Sequence, residues 1–207
     1  MNFRHQTAPA RRRTWRTAAF HGLANVFFAM AAIASAKELP AFPGAEGFGR
    51  FATGGRGGDV YIVTNLSDAG AGSLREGIRS ATGPRTVVFE VSGTIELKSR
   101  LTLDKSAITI AGQSAPGDGI TLKDFTFQIK NATNVIVRYL RVRLGDEHKE
   151  KGAKGGDDAL NTDDIDRLIL DHCSLSWAID GTHDLRRGGN VTVPHKEAAF
   201  ALCQERS

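Results

Sequence analysis

Val135-Ile136-Val137-Arg138-Tyr139-Leu140-Arg141-Val142-Arg143 opens on an apolar, β-branched triplet that returns elsewhere in the chain. Ile108-Thr109-Ile110, Leu168-Ile169-Leu170 and Val191-Thr192-Val193 share its character. The four runs begin at 108, 135, 168 and 191, spacings of 27, 33 and 23 residues. One short strand per unit of about 20–50 residues is the mark of a solenoid, in which each unit buries its apolar face against its neighbours. The period is irregular, and pattern alone leaves a β-sandwich open. Inserts of unequal length at the turns, such as Gly145–Asp158, suit a parallel coil better than tight antiparallel hairpins.

Outward from these runs, β-branched segments alternate with Gly, Asn and Asp. They predict strands at Val60–Val63, Thr86–Val91, Ala107–Ala111, Val135–Arg143, Leu168–Asp171 and Val191–Val193. Helical periodicity is scarce. One short helix is expected at Ser73–Ser80, with Ser73 as N-cap and Glu76 three residues on.

The first 36 residues read differently. Arg4, Arg11, Arg12, Arg13 and Arg16 stand there without any acidic residue, followed by an apolar run from Leu23 to Ile33 and then Ala34-Ser35-Ala36. Basic start, apolar centre and A-x-A end describe a secretory signal peptide over 1–36, and the run is too short for a membrane anchor. Arg12-Arg13 leaves Sec and twin-arginine export both open. The whole chain has 27 Lys+Arg against 23 Asp+Glu. Subtracting the five leader arginines leaves 22 against 23, so the basic balance gives no ground for a nucleic-acid partner. The single Gly54-Gly55-Arg56-Gly57-Gly58 stretch reads as a turn. Two cysteines, Cys173 and Cys203, provide no disulfide framework.

Several motifs, in order, resemble a known family. Ala41-Phe42-Pro43-Gly44-Ala45-Glu46-Gly47-Phe48-Gly49, Gly54-Gly55-Arg56-Gly57-Gly58 and Gly72-Ser73-Leu74-Arg75-Glu76 are similar to the opening of bacterial pectate lyases of polysaccharide lyase family 1. Phe89-Glu90-Val91-Ser92-Gly93-Thr94-Ile95, Ile110-Ala111-Gly112-Gln113, Ile136-Val137-Arg138-Tyr139-Leu140-Arg141 and Asp171-His172-Cys173-Ser174 continue the likeness, which runs from about Ala41 to Val193. The resemblance implies an all-β, right-handed parallel β-helix over 37–193. It also implies a secreted enzyme, extracellular or periplasmic and monomeric, with no membrane association once the leader is removed. Its substrate would be polygalacturonate, cut by calcium-dependent β-elimination with an arginine as base. Such a base is unusual, because guanidinium ordinarily stays protonated. Pectin lyases, which need no calcium, are a neighbouring possibility. From another class, a non-catalytic carbohydrate-binding or adhesive β-helix is the rival.

The resemblance carries the calcium ligands onto Asp158, which precedes Ala159, and onto Asp180 and Asp184 in Asp180-Gly181-Thr182-His183-Asp184. Ca²⁺ takes about 6–8 oxygens, so three carboxylates leave places for water and a uronate. Stacked coils would bring Asp158 beside the other two. Turn chemistry explains the same aspartates without a metal, and Asp157, Asp163, Asp164 and Asp166 compete nearby. No EF-hand alternation is present. Plainer roles are expected for the remaining residues: His172 and Ser174 as hydrogen-bonded members lining the coil, Cys173 as a small buried hydrophobe, and His183 as a solvent-facing turn residue. Trp177 reads equally as a sugar platform or a core residue.

Past Val193 the likeness stops, and 194–207 forms an unrelated tail. An abrupt change inside a strand reads as a frameshift or premature stop, in preference to a natural short form capped by a helix over Lys196–Glu205. Arg186 and Arg187 come too early to be the family's base. On this reading the β-helix is incomplete at its C-terminal end, no catalytic residue is assigned, and little or no lyase activity is expected.

Overall fold

Inward apolar positions alternate with outward polar ones, and residues that tolerate a left-handed backbone bend the chain at matching places in successive coils. The computed structural model describes residues 38–146 and 158–193 and the backbone of 200–201. The expected leader, Asp157, Cys203 and most of the Gly145–Asp158 insert lie outside the described residues. The chain divides after Glu38, and the fold below is that of the second unit.

In chain order the strands are β1 (Asp59–Val63), β2 (Arg85–Phe89), β3 (Gly93–Glu96), β4 (Leu101–Leu103), β5 (Ile108–Ala111) and β6 (Ile120–Lys123). There follow β7 (Phe127–Arg138), β8 (Leu140–Arg143), β9 (Leu160–Asp171), β10 (Ser174–Ala178), β11 (His183–Thr192) and β12 (Phe200–Ala201). One sheet runs β1-β2-β5-β7-β9-β11, with β4 beside β7, and the other runs β12-β10-β8-β6-β3. Every pairing among the described strands is parallel. Each circuit returns the chain to the same sheet one strand further on, which is the right-handed parallel β-helix.

Register turns the alternation into columns. Val87, Ile110, Val137 and Leu170 stack through four coils, and Ile95, Leu122, Val142 and Leu175 do the same in the second sheet. All eight are buried. Hydrophobic burial along these columns holds the solenoid together.

The corners stack as well. Asn131, Asp164 and Arg187 have φ of 50°, 54° and 45°, and Asn134, Arg167 and Asn190 have 58°, 55° and 51°. Each trio is aligned by the pairing of β7 with β9 and of β9 with β11. Asn and Asp enter this region more readily than other side chains, so four of the six corners use them. A further corner at Tyr139, φ 54°, divides the strand expected at Val135–Arg143 into β7 and β8.

A strap from Ala41 to Gly58 runs across the coils and explains why Val135-Ile136-Val137 and Leu168-Ile169-Leu170 are apolar on both faces. The outward side chains of Ile136 and Ile169 are covered by Ala52, with Ala41, Phe42 and Ala45 beside them. The strap's backbone lies close: the Gly49 N–H donates to Thr192 Oγ1 at 2.8 Å. A Cβ on Gly49 would lie 2.1 Å from the Leu168 carbonyl oxygen.

The expected helix is present as α1 (Leu74–Arg79). Ser73 Oγ accepts from the Glu76 N–H at 3.2 Å, and Leu74 and Ile78 are buried. Arg85 locks the helix to the first coil through Asp59, at 2.8 and 2.6 Å, the Gly77 carbonyl at 2.9 Å and Ser80 Oγ at 2.8 Å. Phe200–Ala201 form a strand beside β10, and the rest of the Lys196–Glu205 stretch considered as a helix lies outside the described residues. No described helix is long and apolar enough to cross a membrane.

Candidate functional site

Where β7, β9 and β11 begin, Phe127, Ile129, Leu160 and Thr162 point inward, so the alternate residues face out. Register lays these outward residues in two rows: Gln128, Asn161 and Asp184, then Lys130, Asp163 and Arg186. Gln128 Nε2 donates to Asn161 Oδ1 at 3.3 Å. This polar strip borders the turns that carry the three aspartates selected from the sequence.

Asp158 precedes β9, and Asp180 and Asp184 flank the turn into β11 one coil later. The Gly181 N–H donates to Asp158 Oδ1 at 2.9 Å, tying the two turns together. Burial pushes the Asp158 carboxyl above the usual carboxylate range. Hydrogen bonds from the Gly181 N–H and the Asn161 side chain pull it down, while the charges of Asp184 and Asp180 push it up. Both acidic neighbours therefore bear on Asp158. The three carboxylates are not drawn into a cage: among the described residues, no three His, Cys, Asp or Glu side chains form a group ready to hold a metal ion. Two of the three carboxylates hold other partners. Asp158 accepts from the Gly181 N–H, and Asp184 Oδ2 accepts from Arg186 Nε at 2.7 Å.

The competing aspartates are engaged elsewhere. Asp163 is bidentate with Arg187, at 3.0 and 2.8 Å, and that pairing holds its carboxyl below the ordinary range. Asp164 occupies a corner, and Asp166 accepts from Asn190 Nδ2 at 2.8 Å.

Two of the plainer expectations change, and two are refined. His183 is not a solvent-facing turn residue: it opens β11, half-buried, with Nε2 3.1 Å from Thr162 Oγ1. Burial lowers its pKa against the opposing pull of Asp184. His172 lies on a corner rather than in the coil wall, stacked on Tyr139 with ring centroids 4.5 Å apart and with Nδ1 2.9 Å from Asp171 Oδ1. Cys173 is half-buried, its thiol 3.5 Å from the Val137 carbonyl. Trp177 is exposed, which excludes the core reading. Ser174 does act as a hydrogen-bonded stack member, accepting from Arg143 at 2.8 Å. Sequence reasoning passed over Gln128 and Asn161 as neighbours of the acidic turns, and it weighed Arg186 only as a base. Only the strand register brings residues from three coils into one strip.

Comparison with known proteins agrees with this architecture. Over 165 residues the chain is 48% identical to the probable pectate lyase C of Aspergillus fumigatus, matching 79% of this chain and 37% of that protein. It is 47% identical over 169 residues to the probable pectate lyase C of Emericella nidulans, covering 81% and 38% of the two chains. Pectate lyase plyB of Emericella nidulans is 36% identical over 143 residues, with coverage of 69% and 37%. The chain thus spans less than two fifths of the length of these curated relatives. Two solved structures share the fold. The cedar pollen allergen jun a 1 has a TM-score of 0.58 at 23% identity, covering 70% of this chain and 46% of that one. A Paenibacillus sp. 0602 pectate lyase has a TM-score of 0.50 at 18% identity, covering 70% and 40%. No family model matches the chain.

Proposed function

The chain is a homologue of the pectate lyases, at 45–48% identity to seven of them, and from that premise we propose that it binds polygalacturonate through calcium as part of a secreted polysaccharide lyase. One observation carries the reading. The Gly181 N–H of one coil donates to Asp158 Oδ1 in the coil before it at 2.9 Å, which fastens the Asp158 carboxylate against the turn that carries Asp180 and Asp184. Three carboxylates on these two tied turns, with the Asn161 amide on the adjoining strand, are by their chemistry the donor set that a hard, oxygen-seeking divalent cation takes, and the ion would draw them together. Asp158, Asp180 and Asp184 would hold the ion, with places left for water and a uronate. Bound there, calcium would withdraw charge from the uronate carboxylate and acidify its C5 proton. Extracellular sites of this kind bind at about 10⁻⁴–10⁻³ M, in keeping with an exported protein.

The rest of the chemistry falls to the chain's own groups. The Gly181 N–H orients Asp158, and the outward amides of Gln128 and Asn161 offer hydrogen bonds along the strip. We assign proton abstraction to none of the described residues. Arg186 and Arg187 are each paired with a carboxylate, and His183 is half-buried against Thr162. Those pairings also favour the rival reading, a carbohydrate-binding β-helix without catalysis.

Purified protein mixed with polygalacturonate at millimolar calcium and mildly alkaline pH separates these readings. Binding that disappears in chelator is the expected result, and chelator-indifferent binding would overturn the calcium site. Ultraviolet absorbance from unsaturated uronides reports whether elimination occurs; binding without absorbance leaves the rival.

A further inference from the structure

We propose that Arg186 is a resident counter-ion which calcium must displace from Asp184, so that this arginine sets the metal affinity of the acidic turns. The inference rests on the reading of Asp158, Asp180 and Asp184 as a calcium site. Asp184 and Arg186 are two residues apart on β11, and alternation puts both on the outward side. Their side chains meet at 2.7 Å, with the arginine 68% exposed and the aspartate 31% exposed. A carboxylate oxygen that accepts from a guanidinium has given one lone-pair direction away and already shares its charge with a cation, and both weaken it as a ligand for a divalent ion. Metal and guanidinium therefore compete for Asp184 Oδ2.

Two further features make the competition workable. Arg186 is long and mostly in water, so its swing away from Asp184 breaks no packing. It also stays beside negative charge when it swings: Asp163, held by Arg187, lies in register with it on the adjacent coil. Arg187 provides an internal control. It carries the same charge one residue further on, but both of its contacts are with Asp163, outside the acidic turns. Generic repulsion of a cation would implicate both arginines to a similar degree, whereas competition for Asp184 singles out Arg186.

The test is calcium titration of the full chain by calorimetry at constant ionic strength, with Arg186→Gln, Arg186→Lys and Arg187→Gln alongside the parent. Arg186→Gln should bind calcium about two- to fivefold more tightly, the range expected when an exposed ion pair no longer has to be broken. Arg186→Lys should fall between, because ammonium keeps the charge without the planar fork. Arg187→Gln should move the affinity by less than half as much as Arg186→Gln. In the parent, the Arg186 Nε–H resonance should shift on calcium addition while that of Arg187 stays in place. Equal affinity in parent and Arg186→Gln, or equal tightening in Arg187→Gln, would overturn the proposal and leave the calcium site standing. No calcium binding by any of the four proteins at millimolar metal would overturn both.

Discussion

The backbone N–H of Gly181 donates to the Asp158 carboxylate at 2.9 Å, across 23 residues of sequence and one turn of the solenoid. That bond fastens the turn entering β11 to the turn entering β9. It also holds a negative charge beside two others, Asp180 and Asp184, although burial and repulsion both disfavour charge there. A structure with no further use for Asp158 would be better served by a neutral acceptor of the same shape.

Asparagine is that acceptor, and Asp158→Asn follows as the first test. A carboxyl raised on folding binds its proton more tightly in the folded chain than in the unfolded one. Its contribution to stability is therefore full at low pH and is lost as pH rises through the folded pKa. Asparagine keeps an oxygen for the Gly181 N–H and carries no charge. In chelator, the variant should melt with the parent near pH 3 and above it by pH 7. A melting difference that does not change with pH would contradict the electrostatic account.

His183 gives the opposite slope. Burial lowers its pKa, so the unfolded chain takes up a proton first, and its contribution to stability is present above about pH 6.5 and lost as pH falls through the folded value. His183→Gln retains a polar partner for Thr162 and removes the titration. Thermal melts between pH 5 and 8 should fall more steeply toward acid for the parent than for the variant. Parallel curves would remove His183 from the acid sensitivity of the fold.

The strap makes a steric prediction. Gly49→Ala sets a methyl group 2.1 Å from the Leu168 carbonyl oxygen, a backbone atom that cannot step aside. Overpacking of this kind costs about 1–3 kcal/mol. Gly83→Ala meets nothing within 4 Å and should be within about 0.5 kcal/mol of the parent. Urea denaturation distinguishes the two; equal midpoints would mean that the strap is not held down on β9.

Much of the fold was legible in the four triplets, because each marks the same place in a successive coil, and those at 135–137 and 168–170 bury side chains on both faces. The starts of β7, β9 and β11 were not, since Asn161-Thr162-Asp163 and Asp184-Leu185-Arg186 read as polar loop until their register with Phe127–Lys130 is known. The strap over Ile136 and Ile169 was equally hidden, for its contacts span up to 143 residues. Asp158, Asp180 and Asp184 were selected through a likeness of motifs, and spacing alone would have left them as turn residues. The Arg186 contact is a fact of side-chain geometry that no motif announces.

Asp180 supplies the most direct test of calcium binding. It is exposed, so its truncation to alanine should disturb the metal-free protein little. A ligand that binds only the folded state stabilises it by RT ln(1 + [L]/Kd). With 5 mM calcium and an affinity of about 10⁻⁴–10⁻³ M, that is roughly 1–2.3 kcal/mol. For a chain of this size the corresponding rise in melting temperature is about 2–8 °C. The parent should show that rise and Asp180→Ala should lose most of it. Asp163→Ala, whose carboxylate is held by Arg187 outside the acidic turns, should keep it. Magnesium at the same concentration tests the chemistry of the site, because it demands a tighter octahedron at shorter distances and gives up its waters reluctantly. A rise in Asp180→Ala equal to that of the parent, or the same rise with magnesium, would show that the stabilising ion sits elsewhere.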